Sequence, residues 1–198
     1  MMGKRGKEKG SSFERDVAAI LAKAFYPDGS GVFRRVPLSG GWDKHVAPGD
    51  ILAFKYREFG SEELVMDTRF PFVVECKNWK DIKQPFCGLY AADSELFSWM
   101  QQAVNAAVDS KKIPIVIFKL YRASIIAMLR GTDLCKLEEL FGEYPKAAYG
   151  IVKRVPQLGV SAKLIMVLLA EFLVWIDLGI YHAIDSTKMI RSLVEKEE

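Results

Sequence analysis

At 198 residues, with half of them hydrophobic and 27% charged, the chain has the composition of an ordinary globular protein built on one substantial core. A net charge of +3 permits a polyanionic partner without requiring one, so the placement of the charges matters more than their sum. Two histidines and three cysteines without CxxC spacing argue against a histidine-rich zinc centre and a disulfide framework, leaving free thiols in a reducing cytoplasm and carboxylates as the ligands of any metal.

Residues 1–10 set Lys4, Arg5, Lys7 and Lys9 among glycines, which predicts a flexible basic tail, either a phosphate-contacting arm or a solvated terminus. Ser11-Ser12-Phe13-Glu14 has the form of a capping box, and Phe13, Val17, Ile20, Leu21 and Ala24 follow at helical spacing. A helix is expected from there to about Phe25. Glu14 borders its apolar stripe and reads as a cap or as a functional carboxylate.

A short strand candidate spans residues 31–36 and carries Arg34 and Arg35. The loop after it holds Ser39, Gly40, Gly41, Trp42, Lys44 and His45, a composition suited to a sugar-phosphate backbone or to a plain surface connection. His45 could move a proton beside an acidic site, although a lone loop histidine is more often a bystander. Pro48-Gly49-Asp50 opens the apolar strand 51–54, where Asp50 is either a turn former or a ligand. Residues 55–70 read as a hairpin excursion.

Alternation in the next strand puts Phe72, Val74 and Cys76 on one face and Val73, Glu75 and Lys77 on the other. A carboxylate and an ammonium two residues apart on one face can hold a hard cation and a water or phosphoryl oxygen. If the strands of Asp50 and Glu75 are neighbours, the two carboxylates meet. Asp81-Ile82-Lys83 repeats the spacing without an apolar strand to fix it and is set aside. Lys80 and Lys83 lie in a polar loop at the rim.

A helix is expected over residues 94–109, with Gln101 and Gln102 on successive positions, so that only one of them can face the site. Strands follow at 115–118 and 124–129, a helix capped by Thr132-Asp133 runs to Phe141, and another strand candidate covers 148–155. The apolar run 164–180 carries Glu171 and Asp177, which makes membrane insertion costly; it divides into a strand near 163–168 and a helix near 170–178. The last residues, 186–198, read as an amphipathic helix.

Glu14 on a first helix, Pro48-Gly49-Asp50 at a strand, Val74-Glu75-Cys76-Lys77 on the next and Gln102 on a following helix together resemble the PD-(D/E)xK nuclease superfamily. Within it the likeness is to Holliday junction resolvases of the archaeal type and related phage proteins. The opening Gly10-Ser11-Ser12-Phe13-Glu14-Arg15 and the loop Ser39-Gly40-Gly41 extend the likeness, which covers roughly residues 9–120. Gly49 between Pro48 and Asp50, and the long excursion before Glu75, depart from the family pattern.

The resemblance implies an α/β, restriction-endonuclease-like fold: a central mixed β-sheet flanked by helices, with extra C-terminal strand and helix elements. The nuclease core would occupy residues 11–130, and residues 131–198 would pack on the same domain. Asp50, Glu75 and the main-chain carbonyl of Cys76 would ligate Mg2+ or Mn2+. Glu14 would complete the acidic site directly or through water, Lys77 would orient or activate the attacking water, and Gln102 would sit at the edge. Cys76 itself is expected to be buried and inert. DNA would be held by Lys4, Arg5, Lys7, Lys9, Arg34, Arg35, Ser39, Lys44, Lys80 and Lys83. The implied activity is structure-selective endonuclease cleavage of branched or duplex DNA, by a homodimer with no membrane association. A restriction or repair nuclease, and a non-catalytic DNA-binding module, are the alternatives.

Overall fold

The computed structural model describes residues 4–36, 48–58, 60–79, 95–120, 124–142, 144, 149–155 and 160–176, and the statements below concern these. Helix α1 (Lys4–Phe25) leads into strands β1 (Gly31–Arg35), β2 (Ile51–Tyr56), β3 (Leu64–Met66) and β4 (Phe72–Trp79). Helix α2 (Glu95–Ala107), strands β5 (Ile113–Leu120) and β6 (Ile125–Arg130), helix α3 (Gly131–Phe141), strands β7 (Tyr149–Val155) and β8 (Val160–Leu168) and helix α4 (Leu169–Trp175) complete it. The strands form one mixed α/β sheet in the order β1-β2-β4-β5-β6-β8-β7, with β3 paired to β2. Only β4 and β5 pair in parallel, and α2 lies between them in the chain as the crossover such a pair requires.

Alternation along the central strands sends side chains to two cores. Phe72, Val74, Cys76, Ile113, Ile115 and Ile117 pack with Phe13, Val17 and Leu21 of α1 and with Leu137 and Phe172 of α3 and α4. On the other face, Val116 and Phe118 pack under Leu96, Trp99, Met100 and Ala103 of α2. With both faces covered, β5 reads as a continuous buried run from Ile113 to Phe118. The strands after residue 131 continue the same sheet, since β8 pairs with β6 in antiparallel register.

Two helix starts differ from the sequence reading. α1 begins at Lys4, so the segment expected to be a flexible tail is helical in its backbone, and Ser11-Ser12-Phe13-Glu14 lies inside the helix instead of capping it. Adding turns to an existing helix costs far less than nucleating one, and lysine and arginine are good helix formers; these offset Gly6 and Gly10. α3 begins at Gly131 with no side-chain cap, and Asp133 sits in its first turn, where its carboxylate accepts two hydrogen bonds from the Arg130 guanidinium. The divided apolar run appears as β8 and α4. The helix expected over 186–198 lies outside the described residues. Among the described residues no helix is long and apolar enough to cross a membrane.

Candidate active site at the edge of strands β2 and β4

Strands β2 and β4 are antiparallel neighbours in which Ile51 faces Val74, so Asp50 at the entrance of β2 arrives beside Cys76 on β4. The backbone of Asp50 is fixed on both sides: its N–H donates to the Val74 carbonyl at 2.8 Å, and its carbonyl accepts from Val36 N–H at 2.8 Å. Gly49 is what allows this approach. It sits at a φ of +83°, and a Cβ there would come within 2.6 Å of the Val74 carbonyl oxygen. The glycine that departs from the family motif is therefore a packing requirement of this chain's β2–β4 junction.

The Asp50 side chain is buried, and its Oδ2 accepts a hydrogen bond from the Cys76 backbone N–H at 2.8 Å. Burial and the charge of Glu75 raise the carboxyl to about 7, helped by Glu14 and opposed by the Cys76 N–H and by Lys77. Four sequence-predicted site residues, Glu14, Asp50, Glu75 and Lys77, thus share one electrostatic neighbourhood. On β4, Lys77 Nζ donates to Glu75 Oε1 at 2.6 Å, with both side chains largely shielded from solvent. Glu14 pairs with the guanidinium of Arg35.

These pairings explain how the carboxylates are held. Among the described residues no three His, Cys, Asp or Glu side chains stand together closely enough to hold a metal ion. Glu14 is turned to Arg35, Glu75 to Lys77 and Asp50 to a backbone N–H. The pair Asp50 and Glu75 nonetheless has the chemistry of a hard-cation site: two carboxylates whose mutual repulsion a divalent cation would relieve. A cavity of about 520 Å³ lined by Asp28, Arg34, Tyr56 and Glu62 contains none of these residues. The candidate site lies where the entrance of β2 meets β4, within the sheet, with Asp50 buried and Glu75 and Lys77 largely shielded.

Cys76 is buried, and burial together with Asp50, Glu14 and Glu75 pushes its thiol well above the usual range, which removes it as a nucleophile. Its N–H on Asp50 is a contribution that side-chain reasoning misses. Arg35, read from sequence as a DNA contact, pairs its guanidinium with Glu14. The signal was available: Arg35 lies two residues beyond Phe33, which packs against α1, and so faces the same helix. Arg34 points the other way and is exposed. Gln101 and Gln102 are both exposed on α2, and the amide of Gln101 donates to Asn105 at 2.9 Å. The side chains of Lys4, Arg5, Lys7 and Lys9, and all of Ser39, Lys44, His45, Lys80, Asp81 and Lys83, lie outside what is described.

No curated protein matches the chain. Among solved structures it is similar to Hjc, a Holliday junction resolvase of Archaeoglobus fulgidus, at 17% identity and a TM-score of 0.39, over 84% of this chain and 96% of that one. Residues 5–172 match the family described as "Phage putative PDDEXK endonuclease". That match spans α1 to the first turn of α4 and takes in Glu14, Asp50, Glu75 and Lys77, and the chain belongs to this PDDEXK endonuclease family.

Proposed function

We propose that the protein is a divalent-metal-dependent endonuclease that hydrolyses DNA phosphodiesters at the β2–β4 junction, with branched DNA as its preferred substrate and Mg2+ or Mn2+ as its metal. The observation that carries this reading is the meeting of buried Asp50 with Glu75 and Lys77 on adjacent strands, in a chain of the PDDEXK family. In this reading Asp50, Glu75 and the Cys76 carbonyl would hold the cation, and Glu14 would complete the acidic site directly or through water. The chemistry such a cation would supply is polarisation of the phosphodiester and a lowered pKa of bound water.

The chain's own groups do the rest. Lys77, held against Glu75 on the same face of β4, orients the attacking water and stabilises charge that develops on the phosphate. Arg35 holds Glu14 at the edge of the site, and Arg34, exposed on the opposite face of β1, meets the DNA backbone. Gln102 acts from the solvent side of α2. Two-fold junctions need two cuts, which calls for a homodimer with one site per subunit. Free thiols at Cys76 and Cys135 suit action in the cytoplasm.

The test is cleavage of a labelled four-way junction and of linear duplex of the same sequence, with Mg2+ and with chelator. Asp50→Ala and Glu75→Ala should each reduce cleavage by at least about 1,000-fold while DNA binding persists. Unchanged cleavage in both variants refutes the site. Equal cutting of junction and plain duplex refutes the preference for branched DNA and leaves the nuclease.

A further inference from the structure

The α1-side core of the sheet ends abruptly. In β5 the residues Ile113, Ile115 and Ile117 are buried on that face, and strand alternation puts Lys119 next in the same row, where it is exposed. In β4 the row Phe72, Val74, Cys76 continues to Asn78, also exposed. Parallel register pairs Asn78 with Lys119 directly, one step beyond the pair of Lys77 with Phe118. A polar rung therefore closes the core at the same end of the sheet that carries the candidate catalytic lysine.

Adjacent strands run roughly 5 Å apart, so Lys119 stands next to β4 on the α1 side while Glu75 and Lys77 face the α2 side. Among the described residues Lys119 enters no salt bridge. A polyanion lying across this end meets Lys77 on one side and Lys119 on the other. Ammonium groups at one end of the sheet suit phosphate oxygens and are blind to base identity.

We infer that Lys119 binds a DNA phosphate flanking the scissile one and so sets the position of the strand across this end of β4 and β5. This inference rests on the nuclease reading of Asp50, Glu75 and Lys77. Lys119 is a positioning residue, distinct from the groups that carry the chemistry. A lysine that served only to end the core would be replaceable by any polar residue without effect on DNA.

The experiment measures binding of a four-way junction by Asp50→Asn protein, which prevents cutting, across a series of salt concentrations. Adding Lys119→Ala should raise Kd about 3- to 10-fold and lower the salt slope by about 0.9, the loss of one phosphate contact. Lys119→Arg should restore both, and melting temperatures should be unchanged. Lys119→Thr, a good strand former, gives the same reading if the alanine variant folds poorly. Parental Kd and salt slope in the alanine and threonine variants overturn the inference while the nuclease reading stands. Absence of DNA binding by the Asp50→Asn parent overturns both.

Discussion

Asp50 and Asp67 are both buried aspartates beside β2, and their surroundings are opposite. Asp67 follows β3, with its N–H on the Ala53 carbonyl, and its carboxylate accepts four hydrogen bonds: one from Tyr26 Oη at 2.8 Å and three from the backbone and guanidinium of Arg69 at 3.0 Å each. Burial alone would raise its carboxyl, but the bonds from Arg69 and Tyr26 outweigh burial and hold it below the usual value. Asp50 has one backbone N–H among the described residues and two carboxylates nearby, and it is raised to about 7. A buried carboxylate with a full set of donors ties elements together. One left short of positive charge stores a preference for a cation.

Removing the satisfied carboxylate should have the larger effect on stability. Asp67→Asn removes the carboxylate charge from the pair with the Arg69 guanidinium, and breaking a partly buried ion pair of this kind costs about 2–4 kcal/mol. Because the folded pKa of Asp67 is depressed, its stabilisation is present above the unfolded value of 3.8 and lost as pH falls through the folded value. Urea denaturation should therefore show the full penalty at pH 7 and a shrinking one below pH 3.8. A penalty that stays constant through the acid range would mean that packing, not charge, accounts for Asp67.

The opposite sign is expected for Asp50→Asn in metal-free protein. Between 3.8 and about 7 the folded state holds a proton that the unfolded chain has released, so wild-type stability falls as pH rises across that window. Asparagine removes the charge and can still accept from the Cys76 N–H, giving a gain of about 1–3 kcal/mol above pH 7. The gain should be smaller at pH 5 than at pH 8. Saturating Mg2+ should narrow the difference by stabilising the wild type alone. A destabilised Asp50→Asn at pH 8 would place Asp50 with Asp67 as a structural residue and remove the contrast.

The contrast also shows where the sequence was legible. Strand alternation separated Glu75 and Lys77 from Cys76, and the apolar strand after Pro48-Gly49-Asp50 gave Asp50 its place at a strand entrance. Both depend only on local period and turn chemistry. The order β1-β2-β4 that brings the two carboxylates together needed the resemblance, because a pairing between distant segments leaves no local mark. What stayed hidden was partner choice. For Arg35 the face was legible from its spacing to Phe33, but its partner, Glu14, follows only from the packing of α1 over β1. Asp67, in an excursion that reads as a plain hairpin, is held by Tyr26, forty-one residues earlier in the chain. The start of α1 at Lys4 was hidden for another reason: a capping motif inside a helix looks the same in sequence as one at its end.

The smallest effect tests the Asp67 side of the comparison with a single oxygen. Tyr26 packs its ring against Phe33, with centroids 5.5 Å apart, and a Cβ at Gly31 would come within 2.8 Å of that ring, so ring position is fixed independently of the hydroxyl. Tyr26→Phe should therefore keep the packing and remove one donor from Asp67, at a cost of about 0.5–1.5 kcal/mol. The carboxyl of Asp67 should rise toward its ordinary value, moving the acid limb of the stability profile to higher pH. Asp50 should be unaffected, since neither Tyr26 nor Asp67 is among the groups that shift it. A change in the Asp50 titration in this variant would show that the two aspartates are coupled through β2, and the two carboxylates would then have to be treated as one system.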